Sequence, residues 1–275
     1  MPDPVILVTG STDGIGKATA RELAAHGAEV ILHGRNQGKG QEVIRDLKRQ
    51  VWNRKLDLVI ADFCVQDQVR HMAEEIASRY THLDVLINNA GTFEKLRTTT
   101  PEGIETTFAV NYCAPFLLTH GLLPVLGKSG HARVINITSD AHRDIRQIDW
   151  EDLQGEKRYD PFKAYALSKF ANVTFTHSLA GKTGGTGITT TCVHPGVIAT
   201  KMLRAEYPGI RGKAPTEGAK LPVYLALSPD AAEYSAQYFE ESMHPSPSSA
   251  LSRDRFVQEK LWRVACTLTG VDARD

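Results

Sequence analysis

The sequence predicts an α/β fold, an open parallel sheet with helices on both faces, and three observations lead to it. Short β-branched or apolar runs recur along the chain, helical patterns stand between them, and a glycine-rich turn joins the first run to the first helix. The runs are VILVTG from Val5, AEVILHG from Ala28, LDLVIAD from Leu56, LDVLINNAG from Leu83, ARVINITS from Ala132 and GITTTCVHPG from Gly187. Each reads as a buried strand. In the first helical pattern, GKATARELAAHG, Ala20, Leu23 and Ala24 share a face and Gly27 supplies a stop.

Strands that alternate with helices in this way build right-handed βαβ units, so the expected class is a Rossmann-type doubly wound parallel sheet in a single domain. A chain of 275 residues, 41% apolar and 23% charged, suits one soluble domain with a substantial core. We expect residues 1–243 to form that domain, and residues 244–275 to be a linker and a last helix packed on it. The linker is HPSPSSALS, from His244 to Ser252. The helix, RDRFVQEKLWRVACTLTG, carries an apolar stripe of Val257, Leu261, Val264 or Ala265, and Leu268.

Thirty-two basic residues balance thirty-two acidic ones with no dense Lys/Arg block, which argues against a nucleic-acid or anionic-membrane surface and for a small-molecule partner. Cys64, Cys113, Cys192 and Cys266 stand far apart without a C-x-x-C pair, so neither a metal site nor a disulfide framework is expected. The opening MPDPVILVTG enters an apolar run at once, too short for a signal peptide or a membrane span. The expectation is a cytoplasmic protein with no membrane anchor.

VTGSTDGIG places Gly10, Gly14 and Gly16 after the first predicted strand and at the start of a helix. Glycines there allow a tight turn and let backbone approach a pyrophosphate, whose charge the helix N-terminus favours. Gly10, Ser11, Thr12, Gly14, Ile15 and Gly16 are therefore candidate dinucleotide contacts. An NAD-selective site would place an acidic residue at the end of the second strand, to bind the ribose 2′-hydroxyl. Here that strand ends in Gly34 and Arg35, followed by Asn36, with Lys39 nearby. Arg35 can pair with a 2′-phosphate, which favours NADP(H); the alternative is a solvated surface charge.

YALSK places Tyr165 four residues before Lys169, on one face of a helix if PFKAYALSKFANVTF is helical. A nearby ammonium favours phenolate and draws a tyrosine pKa below its usual value of about 10, toward working pH. Tyr165 can then protonate a carbonyl oxygen as hydride arrives. Ser139, at the C-terminal end of the fifth strand, stands where such sheets bind ligands and could hydrogen-bond the same oxygen.

These motifs resemble the short-chain dehydrogenase/reductase family, in its order and over nearly the whole chain to about residue 240. They are TGSTDGIG from Thr9, Asp62 after the third strand, NNAG from Asn88, Asn111 in FAVNYCAPFLLT, Ser139 in VINITS, YALSK from Tyr165 and HPGV from His194. ITSDAHR, DLQGEKRYDPFKAYALSKFANVTFT and VHPGVIAT are similar to its retinol-dehydrogenase-like branch, although the N-terminal anchor of that branch's membrane-bound members is not expected here. The resemblance implies a catalytic set of Asn111, Ser139, Tyr165 and Lys169, with Lys169 also holding the nicotinamide ribose and Asn111 holding a water. It implies adenine contacts at Asp62 and Phe63, and cofactor contacts at Asn89, Ala90 and Gly91, with Asn88 and Asn89 partly structural. Pro195, Gly196 and Val197 would lie near the nicotinamide, and Thr200 near its carboxamide or the pyrophosphate.

Two charged segments are expected to shape the substrate pocket: the loop between Ser139 and Tyr165, and a lid over about residues 197–217. Their charges read as solvated faces and identify no substrate. His142 reads as a loop histidine bonded to backbone. The function implied is an NADP(H)-dependent oxidoreductase that interconverts a ketone or aldehyde with an alcohol, reduction being the expected direction. A nucleotide-sugar epimerase or dehydratase would carry a G-x-x-G-x-x-G turn, which Gly10, Gly14 and Gly16 do not fit. The remaining alternative is a non-catalytic NADP(H)-binding sensor or scaffold. The family also implies a possible homo-oligomer, whose packing the Ser-to-Tyr loop and the C-terminal segment could block.

Overall fold

The computed structural model of the protein describes residues 3–53, 55–206 and 208–272. The six apolar runs become β1 (Val5–Val8), β2 (Glu29–Gly34), β3 (Leu56–Ile60), β4 (Val85–Asn88), β5 (Ala132–Ile137) and β6 (Ile188–His194). Between them run α1 (Gly14–Ala25), α2 (Gln37–Gln50), α3 (Gln66–Arg79), the short α4 (Thr106–Phe108) leading to α5 (Ala114–Gly127), and α6 (Pro161–Lys182). After β6 come α7 (Lys201–Glu206), α8 (Pro215–Leu227), β7 (Gln237–Glu240), β8 (Pro245–Ser246) and α9 (Arg255–Thr269).

The strands lie in the order β3-β2-β1-β4-β5-β6-β7-β8. Every pairing is parallel except that of β7 with β8. β1 pairs with β2 on one side and β4 on the other, Val8 opposite both Leu32 and Ile87. The loops leaving β1 and β4 therefore turn to opposite faces, and a crevice opens where they part.

Both sheet faces are buried, which explains the unbroken apolar strands. On one face Leu7, Leu86 and Val134 meet Ile76 of α3, Phe116 of α5, Phe175 of α6 and Trp262 of α9. On the other, Ile6, Val8 and Ile135 meet Leu23 of α1, Leu47 of α2 and Leu225 of α8. β7 and β8 were not among the expected strands, because QYFE is too short and too polar at its ends to read as a buried run.

α9 packs against α6 through Val257, Leu261 and Ala265. Of the two alternatives at the third position of the stripe, Ala265 is fully buried and Val264 only partly. The expected stripe omitted Trp262, which is 2% exposed and sits against Phe116 and Phe175. The Lys182 ammonium lies 4.6 Å from its ring centre.

The helical stretch Thr106–Gly127 is long and apolar enough to cross a membrane, yet 78% of its apolar window is buried in this fold. Its interior is not regular. Pro115 has no N–H to offer the carbonyl of Asn111, and its ring crowds that carbonyl. The backbone widens there into a π turn, Ala109–Cys113, closed by a bond from the Ala114 N–H to the Ala109 carbonyl.

Candidate active site

The crevice is a cleft of about 670 Å³ lined by the loops that follow β1 to β6. That volume falls within the roughly 300–1,000 Å³ of typical ligand pockets. Of the expected residues, Gly10, Thr12, Gly14, Ile15, Gly16, Arg35, Asp62, Phe63, Asn89, Ala90, Gly91, Ser139, Tyr165, Lys169, Pro195, Gly196, Val197 and Thr200 line it. Asn111 lies just behind, its side-chain oxygen 3.2 Å from where a Cβ on Gly91 would stand.

Two expected contacts are placed elsewhere. Ser11 is fully buried, and its hydroxyl accepts from the His33 N–H at 2.9 Å, which binds the turn to β2 instead of facing the cleft. Asn36 caps α2, its side-chain oxygen accepting from the Lys39 N–H at 2.9 Å. In both cases an unpaired backbone donor takes up the short polar side chain.

The glycine turn needs its glycines. Gly10 has φ +62°, and a Cβ there would stand 2.8 Å from the Ala90 Cα. A Cβ at Gly16 would collide with the Asn89 side chain and the Gly10 carbonyl. Asn89 donates to the Thr9 carbonyl at 2.8 Å, while the Thr9 hydroxyl accepts from the Asn89 and Ala90 N–H groups at 2.9 and 3.0 Å. Asn88 donates to Asn136 at 2.9 Å and Thr119 at 3.1 Å, and Asn136 donates to Thr176 at 2.9 Å. This polar ladder pins β4 and β5 to α5 and α6.

His33 belongs to the site and sequence reading gave it no role. Its Nδ1 accepts from the Gly10 N–H at 3.1 Å, so Nε2 carries the proton and donates to the Ala61 carbonyl at 3.0 Å. The ring stacks on Phe63 with centroids 4.4 Å apart. Burial pushes its pKa down to about 4. A histidine inside the otherwise apolar run of β2 was the local signal, and it did not point to Gly10 as its partner.

Asp13 was also missed. It caps α1 and pairs with Lys201 at 2.8 Å and Lys39 at 3.0 Å. Its hydrogen bond from Lys201, then that from Lys39, holds the carboxyl well below the usual carboxylate range. Lys39 thus meets Asp13, and α7 is tied to the glycine turn. Arg35 is exposed in the cleft and, among the described residues, makes no salt bridge.

Tyr165 and Lys169 share one face of α6, with the ammonium 5.7 Å from the tyrosine ring centre. Lys169 is 4% exposed and donates to the Ile137 carbonyl at 3.0 Å. Burial pushes its pKa down to about 8. Phe93 stands against Tyr165, centroids 5.4 Å apart.

Ser139 ends β5 and caps the 3₁₀ turn Asp140–Asp144, accepting from the Ala141 N–H at 3.2 Å and donating to Asp140 at 3.1 Å. The π turn presents Asn111 to Thr92, whose N–H it binds at 2.7 Å and whose carbonyl it meets at 2.9 Å, and to the Ser168 hydroxyl at 2.9 Å.

The lining of the cleft includes the apolar side chains of Phe93, Val110, Phe162, Met202, Leu203 and Ile210. From the two charged segments, among the described residues, Asp140, Asp144 and Lys201 bring a charge to the lining. His142, as expected of a loop histidine, is bonded to backbone, 2.7 Å from the Ser139 carbonyl.

Residues 4–210 match the family model for short chain dehydrogenase. The chain is 37% identical to retinol dehydrogenase 12 of Mus musculus over 281 residues, covering 98% of this chain and 88% of that one. It is 34% identical to the polyprenol dehydrogenase of Homo sapiens over 286 residues, with coverage of 98% and 86%. Among solved structures it superposes on a Mycobacterium paratuberculosis protein with a TM-score of 0.81 at 28% identity, covering 97% and 93% of the two chains. A Shigella flexneri protein described as a short chain dehydrogenase and solved with NADP gives a TM-score of 0.74 at 28% identity, covering 87% and 97%.

Proposed function

The chain belongs to the short-chain dehydrogenase family, and from that premise we propose that it is an NADP(H)-dependent oxidoreductase interconverting a ketone or aldehyde with an alcohol. The observation that carries this reading is the convergence of Tyr165, Lys169 and Ser139 on one cleft with the glycine turn. The cleft suits a dinucleotide: without side chains at Gly10 and Gly16 the turn closes tightly against Ala90 and Asn89, and the segment that ends β2, Gly34 to Asn36, brings Arg35 and no acidic residue to the lining. When bound, NADPH supplies the hydride.

Around it each side chain has a task. Tyr165 gives its phenolic proton to the developing alkoxide and takes it back in alcohol oxidation. Lys169, forced close to neutral pH by burial, stabilises the phenolate that remains and can bind ribose hydroxyls. Ser139 turns its hydroxyl from Asp140 to the substrate oxygen. Asn111 fixes Thr92 against α6 and so keeps the wall behind Lys169 in place.

The apolar lining from Phe93 to Ile210 supports a substrate with an apolar body, carried into the cleft beneath a lid over about residues 197–217. The same reading takes a small molecule as partner, a cytoplasmic location and a homo-oligomer as proposals. Titration with NADPH and NADH, followed by absorbance of the reduced nicotinamide against a panel of aldehydes, ketones, retinoids and steroids, tests it. Tight NADPH binding with oxidation on a carbonyl is the expected result. Binding without turnover across the panel would favour a sensor or scaffold, and no binding would refute the reading.

A further inference from the structure

Residues 245–253 form a strap that crosses behind the candidate site without lining its cleft. Its attachments are specific. The Ser249 N–H donates to His142 Nε2 at 3.2 Å, and Arg143 donates to the Pro247 carbonyl at 3.0 Å while pairing with Glu240 of β7 at 2.8 Å. On the other side His177, on the helix that carries Tyr165 and Lys169, meets the Ser248 hydroxyl at 3.2 Å.

His142 has both ring nitrogens committed. Nδ1 lies 2.7 Å from the Ser139 carbonyl, an acceptor, so Nδ1 carries the proton and Nε2 is bare to accept from Ser249. The ring is fully buried and leans on Tyr238 with centroids 4.8 Å apart. The peptide whose carbonyl it grips is that of Ser139, a residue that lines the cleft.

We propose that His142 is a positioning residue, a neutral Nδ1–H imidazole that ties the C-terminal strap to Ser139 and thereby sets where the Ser139 hydroxyl stands; this rests on the role given to Ser139 above. The Ser249–His142 contact is then the strap's route to the Ser139 peptide. Asp140 and Arg143 of its own turn, Glu240 of β7 and His177 of α6 surround the ring electrostatically, and burial, the largest influence, lowers its pKa. Protonation would set an Nε2–H against the Ser249 N–H and break the tie.

Three measurements on the full chain test this. In wild-type protein, long-range ¹⁵N–¹H NMR should find His142 as the neutral Nδ1–H tautomer down to pH 6; an Nε2–H tautomer or an imidazolium at pH 7 overturns the proposal. Ser249→Pro removes the N–H that His142 accepts and lies outside the cleft; the Ser139 amide resonance should move, and an unmoved resonance in a folded variant overturns it.

His142→Phe keeps a ring against Tyr238 and should lower kcat by about 10- to 100-fold, the scale of a misplaced catalytic group, with NADPH affinity unchanged. Wild-type kcat in that variant overturns the proposal. A wild-type protein that turns over no carbonyl would instead refute the oxidoreductase reading, and the two NMR results would still decide whether the strap holds Ser139.

Discussion

Replacing Lys169 with methionine should make the protein more stable and inactive at once. The side chain is 4% exposed, and burial holds its pKa at about 8 against the 10.5 of a free lysine. Each pH unit between those values corresponds to about 1.4 kcal/mol, so at pH 7 the buried ammonium costs about 3 kcal/mol. Methionine has similar length, needs no hydration, and loses only the bond to the Ile137 carbonyl, at about 1 kcal/mol. The net gain is about 2 kcal/mol, or about 3–4 °C in Tm for a chain of this size.

The sign follows from linkage: the penalty is complete below pH 8, shrinks as pH rises through the folded value, and vanishes above 10.5. Urea unfolding of both proteins without cofactor, at pH 7 and pH 9.5, should show a gap that closes by about 2 kcal/mol on going to the higher pH. A variant less stable than wild type at pH 7, or a gap indifferent to pH, would refute the idea that this ammonium is held against its solvation.

Tyr165→Phe keeps the ring against Phe93 and removes the proton donor, so NADPH binding should stay near wild type while kcat falls by about 100-fold or more; retained turnover removes Tyr165 from the mechanism. Arg35→Asp should reverse the ratio of NADPH to NADH affinity, and an unchanged ratio means that Arg35 does not read the 2′-phosphate. His33, with a folded pKa of about 4 against 6.5 unfolded, should withdraw about 2.5 kcal/mol of stability as pH falls from 7.5 to 4.5. Urea titrations of wild type and His33→Leu at the two pH values measure this, and equal acid sensitivity would clear His33.

The six buried strands and the glycine turn were legible because their signals are local: an unbroken apolar run, or glycines at a strand-to-helix junction. Tyr165 and Lys169 were legible through helical spacing. What escaped was set by distant partners. Nothing near His33 announces that Gly10 will donate to it, and nothing near Trp262 announces the aromatic pocket made by Phe116 and Phe175. The backbone partners of Ser11 and Asn36 went unread for the converse reason, since short polar side chains in a turn serve backbone donors as readily as ligands.

The π turn at Ala109–Cys113 also bears on how this chain tolerates change. A π turn is an α-helix with one residue too many, and each residue of helix advances about 100° around the axis. Deleting Tyr112 or Cys113 would remove that extra residue and leave α4 and α5 nearly where they stand, but the residues inside the turn would change their direction around the axis. Asn111 would leave Thr92 and Ser168, and the wall behind Lys169 would lose its anchor, while the apolar count and the packing of α5 stayed almost unaltered. Length along this helix is therefore under tighter constraint than residue identity, and a one-residue indel here separates a folded protein from a working one.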